Sequence, residues 1–135
     1  MQPRIALVCD WLVSRGGAER VIGVLAEMFS EAPIYTTLYN EELFPEYKDR
    51  VVTSFINKIP GAKKKHHFFL PLMPYAVEQF DLSDYDIVIS SSHSCAKGII
   101  TKPSTLHICY CHTPMRYCWD NWQQYFENFG IASPL

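Results

Sequence analysis

Cys9-Asp10-Trp11-Leu12-Val13-Ser14-Arg15-Gly16-Gly17-Ala18-Glu19-Arg20 is the stretch on which the fold reading turns. Before it, Arg4-Ile5-Ala6-Leu7-Val8 is a short apolar run without helical spacing, the pattern of a strand buried on both faces. After it, Val21, Val24, Leu25, Met28 and Phe29 recur at helical intervals, so a helix is expected from about Gly17 to Phe29. The unit is strand, loop, helix, with two adjacent glycines at the helix mouth. A helix N-terminus carries unpaired N–H groups and the positive end of the macrodipole, and glycine lets a phosphate approach the backbone closely. Gly16 and Gly17 therefore fit a diphosphate site; they equally fit a plain tight turn.

Outward from this unit the chain keeps alternating. Strands are expected at Ile34 to Tyr39, Val51 to Phe55, Asp86 to Ser90 and His107 to Cys111. Asn40 to Lys48 reads as a loop with at most one helical turn. Phe68 to Phe80 reads as a helix broken by Pro71 and Pro74, Ala96 to Ile100 as a short helix or turn, and Met115 to Phe129 as an aromatic helix. Such alternation implies an α/β fold with a doubly wound parallel sheet, right-handed crossovers and strand order 3-2-1-4-5. Ligands of such sheets bind beyond the carboxyl ends of the strands, where strands one and four diverge. Three polar loops meet there: Asp10 to Gly17, Ser91 to Cys95, and His112 to Tyr117.

Composition narrows the classes. The chain has 135 residues, 48% hydrophobic, enough for one domain with a real core. A net charge of -2 argues against gripping nucleic acid by charge. The longest nearly uncharged apolar stretch, Phe68 to Val77, is too short to span a bilayer and holds two prolines. The N-terminal apolar run is too short for a signal peptide. Five cysteines, an odd number, fit reduced thiols in a cytoplasmic protein, with Cys9 buried. Cys109-Tyr110-Cys111-His112 with Cys118 lacks a standard zinc spacing. Cys109 and Cys111 are instead expected on one face of a strand as small core residues, with no metal.

Several side chains are candidates for chemistry. His112 is expected at the end of a central strand, facing the crevice, where an imidazole can donate to a sugar hydroxyl or an oxyanion; the bland alternative is a structural histidine. His93 occupies the equivalent place after strand four. Asp10 can act as a base, accept from a hydroxyl, or bind loop amides. Arg15 and Arg116 can pair phosphates or be plain surface charges. Lys63, Lys64 and Lys65, with His66 and His67, directly precede Phe68 and Phe69; this basic-aromatic segment suits an anionic membrane surface or a lipid-linked acceptor, or else a solvated loop. A dinucleotide fingerprint would need G-x-G-x-x-G, and only the adjacent glycine pair is present.

Taken together, Ile5-Ala6-Leu7-Val8, Gly16-Gly17-Ala18-Glu19-Arg20, Tyr85-Asp86-Ile87-Val88-Ile89-Ser90 and Tyr110-Cys111-His112-Thr113-Pro114-Met115-Arg116-Tyr117 resemble the N-terminal domain of GT-B retaining glycosyltransferases of family 4, mannosyltransferase branch. The resemblance covers about residues 4 to 126. It implies a Rossmann-like domain that forms the acceptor side of a two-domain cleft, with residues 1–135 as a truncated first half and the donor-binding second domain absent. It implies transfer of a hexose, with mannose from GDP-mannose favoured, to a glycan or lipid-linked acceptor, as in polysaccharide biosynthesis, with retention and without a bound metal or cofactor. By resemblance, Gly16 and Gly17 approach the donor diphosphate and His112 contacts the transferred sugar as the catalytic residue. Asp10, Trp11, His93, Arg116 and Tyr117 line the acceptor side. The isolated fragment is then expected to be inactive, cytoplasmic with peripheral contact at the inner face of the membrane, and prone to self-association through uncovered apolar surface. The alternative class is a non-catalytic nucleotide- or sugar-binding module.

Overall fold

The computed structural model describes residues 2–119, 123, 124 and 127. Five strands form one all-parallel sheet in the order β3-β2-β1-β4-β5: β1 Ile5–Cys9, β2 Ile34–Thr36, β3 Val51–Thr53, β4 Ile87–Ser92 and β5 Leu106–Cys111. The helices are α1 Gly17–Met28, α2 Met73–Glu78 and α3 Arg116–Trp119, with 3₁₀ turns between them. The fold is thus α/β and Rossmann-like, with the expected strand order. α3 is the described part of the helix expected over 115–129; most of its remainder lies outside the described residues.

Alternation along β1 divides the core in two. Ala6 and Val8 point to one face and pack with Tyr35, Val88 and the inner side of α2, at Met73, Ala76 and Val77. Leu7 and Cys9 point to the other, under Ile22 and Ala26 of α1, with Ile34 and Ile89. Each fully buried aliphatic side chain contributes about 1.5–3 kcal/mol of transfer free energy. β1 is the centre of the sheet, paired Leu7 to Ile34 on one side and Leu7 to Ile89 on the other. Arg50 locks the far end of α1: its guanidinium donates to the carbonyls of Ala26, Phe29 and Ala32 at 2.7–3.1 Å, a cationic cap on the negative end of the helix dipole.

Three expectations are corrected. First, the apolar stripe that α1 buries is Ile22 and Ala26, with Leu25 and Phe29 partly covered; Val24 and Met28 are exposed. The helix carries two apolar stripes, and the one containing the small Ala26 faces the sheet. Second, β2 stops at Thr36 and β3 at Thr53, where a 3₁₀ turn begins at Phe55, while β4 runs on to Ser92. Third, β5 is an edge strand among the described residues, not a central one. Cys109 and Cys111 are consequently exposed rather than core residues, and His112 follows an edge strand. The same placement exposes Leu106, Ile108 and Tyr110. Pairing with Ile87, Ile89 and Ser91 puts them on the α1 side of the sheet, beyond the reach of α1.

Candidate functional site at the carboxyl edge of the sheet

Parallel strands deliver the ends of β1 and β4 side by side, with Cys9 opposite Ser91. The residues that follow, Asp10 and His93, meet there. Asp10 is buried and its carboxylate accepts from the backbone N–H groups of His93 (2.7 Å), Ser94 (3.1 Å) and Ala96 (2.7 Å) and from the Ser92 hydroxyl (3.1 Å). His93 Nδ1 lies 3.0 Å from Asp10 Oδ2. Burial alone would push the Asp10 carboxyl up. The hydrogen bonds from His93 and from the loop amides outweigh it and hold the group below its ordinary value, so it is ionised. The hydrogen bond to Asp10, against the opposing cost of burial, raises His93. Asp10 therefore acts here on the loop after β4, which it folds around its own carboxylate.

Trp11 is buried between two imidazoles. His93 meets its ring edge-on at 4.8 Å, and His66 lies tilted against it at 5.1 Å. Burial, and then the neighbouring His67 and His93, bring His66 down to about 4, so it is neutral at pH 7. The basic-aromatic segment thus reaches the candidate site through His66. Lys63, Lys64, Lys65 and Phe68 themselves are exposed, away from Asp10, and Phe69 is half-buried against the core.

On the α1 side of β4, a small cavity is lined by Asp10, Ala18, Glu19, Ser91 and His93, among others. The first turn of α1 and the loops after β1 and β4 thus share one crevice. Gly16 is the N-cap of α1 and provides no side-chain cap. A Cβ on Gly17 would meet open space, and one on Gly16 would touch only the movable tip of Glu19, at 2.9 Å. Neither glycine has positive φ. The chain's own packing therefore does not require glycine at either position.

His112 is half-buried and bonds through Nε2 to the Ser91 hydroxyl at 2.8 Å. Its backbone N–H donates to the Ser92 carbonyl at 3.0 Å, and its ring lies 4.8 Å from Tyr110. Asp10, Trp11, His93 and the α1 mouth form one cluster, and Ser91 links His112 to it. Arg116 is exposed at the start of α3; the side chain of Tyr117 lies outside the described residues. Arg15 is turned away onto Glu46 (3.3 Å), the Leu43 carbonyl and the Phe44 ring.

Sequence reading missed Ser91 and Ser92, which it placed in a loop, and missed His66 as the second partner of Trp11. The run Ser90-Ser91-Ser92 directly after Ile87-Val88-Ile89 was the available signal: small hydroxyls continue a buried strand and point alternately to its two faces. No group of three or more His, Cys, Asp or Glu side chains is placed to hold a metal among the described residues. No family model, curated protein or solved structure matches the chain.

Proposed function

We propose that this chain forms the acceptor-side half of a retaining glycosyltransferase, moving a hexose from a nucleotide-diphosphate sugar to a glycan or lipid-linked acceptor, with GDP-mannose the favoured donor. The observation that carries the reading is a shared edge of the sheet. The uncapped mouth of α1, with open space over Gly17, lies on the same edge and the same side of the sheet as the Ser91–His112 pair. A diphosphate at that mouth would take backbone N–H groups as donors and gain from the helix dipole. Its sugar would then extend toward the carboxyl end of β5, where the imidazole of His112, aimed by Ser91, can donate to a hydroxyl as charge develops.

Asp10 supports a positioning role in this reading. Its oxygens are already occupied by the loop after β4, so it presents His93 and the loop backbone rather than acting as a base. The same occupancy gives the competing reading, a binding module without catalysis, its one favourable observation. Charge on a leaving diphosphate needs donors from both walls of a cleft. In this reading the chain supplies one wall of that cleft, and the chain alone should bind without turning over.

Calorimetric titration of the chain with GDP-mannose, UDP-glucose, acceptor glycans and NAD is the test. Binding of a sugar nucleotide in preference to NAD, weakened by Gly17→Val, supports the proposal. Preference for NAD, or affinities unchanged by Gly17→Val, overturns it.

A further inference from the structure

We infer that the outer face of the 3₁₀ turn His66–Leu72 and of α2, together with the lysines that precede it, is a docking surface for an anionic lipid bilayer. This inference stands on the surface alone and does not depend on the transferase reading. Charge is segregated along the chain. Between Asp49 and Glu78 the chain has no acidic residue, and its basic residues there are Arg50, Lys58, Lys63, Lys64 and Lys65; all 14 acidic residues lie outside this interval in a chain of net charge -2. Arg50 is engaged at the end of α1. The four lysines are exposed.

Hydrophobicity in the same segment exceeds what the core uses. His66 to Val77 contains no Asp, Glu, Lys or Arg, and Leu70, Met73, Ala76 and Val77 already fill the inner side. The outer side remains apolar: Phe68 is 56% exposed, Leu72 45% and Tyr75 57%. These three are spaced four and three residues apart, one stripe along the helical run. Phe55, 41% exposed, extends the stripe laterally, with its ring 6.0 Å from that of Tyr75. A helical segment apolar all round is normally covered on all sides; here one side faces out and basic side chains precede it.

That combination selects its occupant. Aromatic and aliphatic side chains enter the boundary between headgroups and acyl chains, and lysines beside them meet anionic headgroups. Glu41 and Glu42 line the same groove as Lys63 and Lys64. Glu41 is already paired with Lys48 at 2.7 Å, and none of Lys63, Lys64 and Lys65 is ion-paired among the described residues. Docking would set the bilayer beside the crevice, because His66 of the same segment packs on Trp11.

The test is flotation of the 135-residue chain with phosphatidylcholine vesicles, with and without phosphatidylglycerol. The expected result is binding to the anionic vesicles only, reduced by high salt. Reversing Lys63, Lys64 and Lys65 to Glu should lower apparent affinity at least a hundredfold, since each basic residue near such a surface contributes about a factor of five and each Glu adds repulsion. Phe68→Ser with Leu72→Ser should lower it roughly tenfold. Both sets lie on exposed positions, and circular dichroism checks that each variant keeps its fold. The proposal is overturned by absence of binding to anionic vesicles, by equal binding to neutral ones, or by either variant binding like the parent. It is also overturned if inorganic phosphate displaces the protein, or if the face takes an acidic peptide or nucleic acid while ignoring vesicles.

Discussion

Asp10 and His93 are joined twice: the His93 backbone N–H donates to Asp10 Oδ2 at 2.7 Å, and Nδ1 of the same residue lies 3.0 Å from that oxygen. One buried carboxylate therefore fixes both the backbone and the ring at the point where β1 and β4 part. Around it the loop from Ser92 to Ala96 has little regular structure of its own, so its shape depends on this residue. Asp10→Asn keeps the volume but turns an amide NH₂ toward donors and removes the charge. Breaking a buried, hydrogen-bonded charge costs about 3 kcal/mol or more, which for a chain of this size lowers the melting temperature by roughly 10 °C. A thermal melt within a degree or two of the parent would show that the loop holds itself.

Stability should also carry the signature of two histidines with opposite behaviour on either side of Trp11. His93 is raised above 6.5, by its bond to Asp10 against the cost of burial. Its contribution is fully present below 6.5 and is lost as pH rises through the raised folded value. His66 is lowered from 6.5 to about 4, by burial first and then by His67 and His93. Its contribution is present above 6.5 and is lost as pH falls from there toward 4. Melting temperature should therefore pass through a maximum near neutral to weakly acid pH. His93→Gln should flatten the alkaline limb and His66→Gln the acid limb; a profile that neither variant alters refutes the assignment.

The cysteines divide cleanly by exposure. Cys9 is buried and its thiol is pushed up to about 12, by desolvation above all. Cys95, also buried, is raised well above its usual value for the same leading reason. Cys109, Cys111 and Cys118 are exposed. A disulfide reagent applied to the native chain should titrate three thiols quickly, and the remaining two only on unfolding. Slow reaction at Cys109 or Cys111 would mean that another surface covers β5.

The fold was legible where one physical rule governs. β1, α1 and the strand order follow from apolar runs, helical spacing and the handedness of crossovers, and Asp10 and His93 were placed together because parallel strands end side by side. What failed concerns neighbours rather than patterns. Cys109 and Ile108 look like residues of a buried strand, yet whether β5 is central depends on what lies beyond it, which local sequence does not encode. Val24 and Ile22 both keep helical spacing, and only the sheet chooses between them. Ser91 is the subtler case. A serine run reads as a loop by propensity, but here parallel pairing with Cys9 and Tyr110 extends β4 through it, and the extension is what presents a hydroxyl to His112.

Gly17 offers a direct separation of fold from ligand approach. Its backbone needs no positive φ and an added Cβ meets nothing within 4 Å, so Gly17→Val should leave the melting temperature nearly unchanged. If a diphosphate approaches this mouth, the branched side chain would occupy its path, and sugar-nucleotide affinity should fall by more than about tenfold, since losing even one or two charge-assisted bonds costs that much. Equal affinity in the variant would place the diphosphate elsewhere.

His112 is the residue on which structure and chemistry make opposing forecasts. Its Nε2 is bound to Ser91, a hydroxyl that is itself buried, and no hydrogen bond to Nδ1 is seen among the described residues. The following Thr113-Pro114 restricts the backbone and helps hold the ring. A ring fixed through one nitrogen presents the other in a set direction, the arrangement needed for a donor whose bond strengthens as a glycosidic bond breaks. His112→Ala, in a preparation that has transferase activity, should then cut turnover by about two to three orders of magnitude, as loss of one such donor does. The cost to folding should be small, about 1 kcal/mol for the Ser91 hydroxyl left without its partner. A purely structural histidine predicts the reverse: a larger drop in melting temperature with near-normal turnover per folded molecule. Ser91→Ala sharpens the test. It leaves the imidazole in place but unaimed, so turnover should fall by less than in His112→Ala; a Ser91→Ala enzyme slower than His112→Ala would make the hydroxyl, not the imidazole, the group that matters.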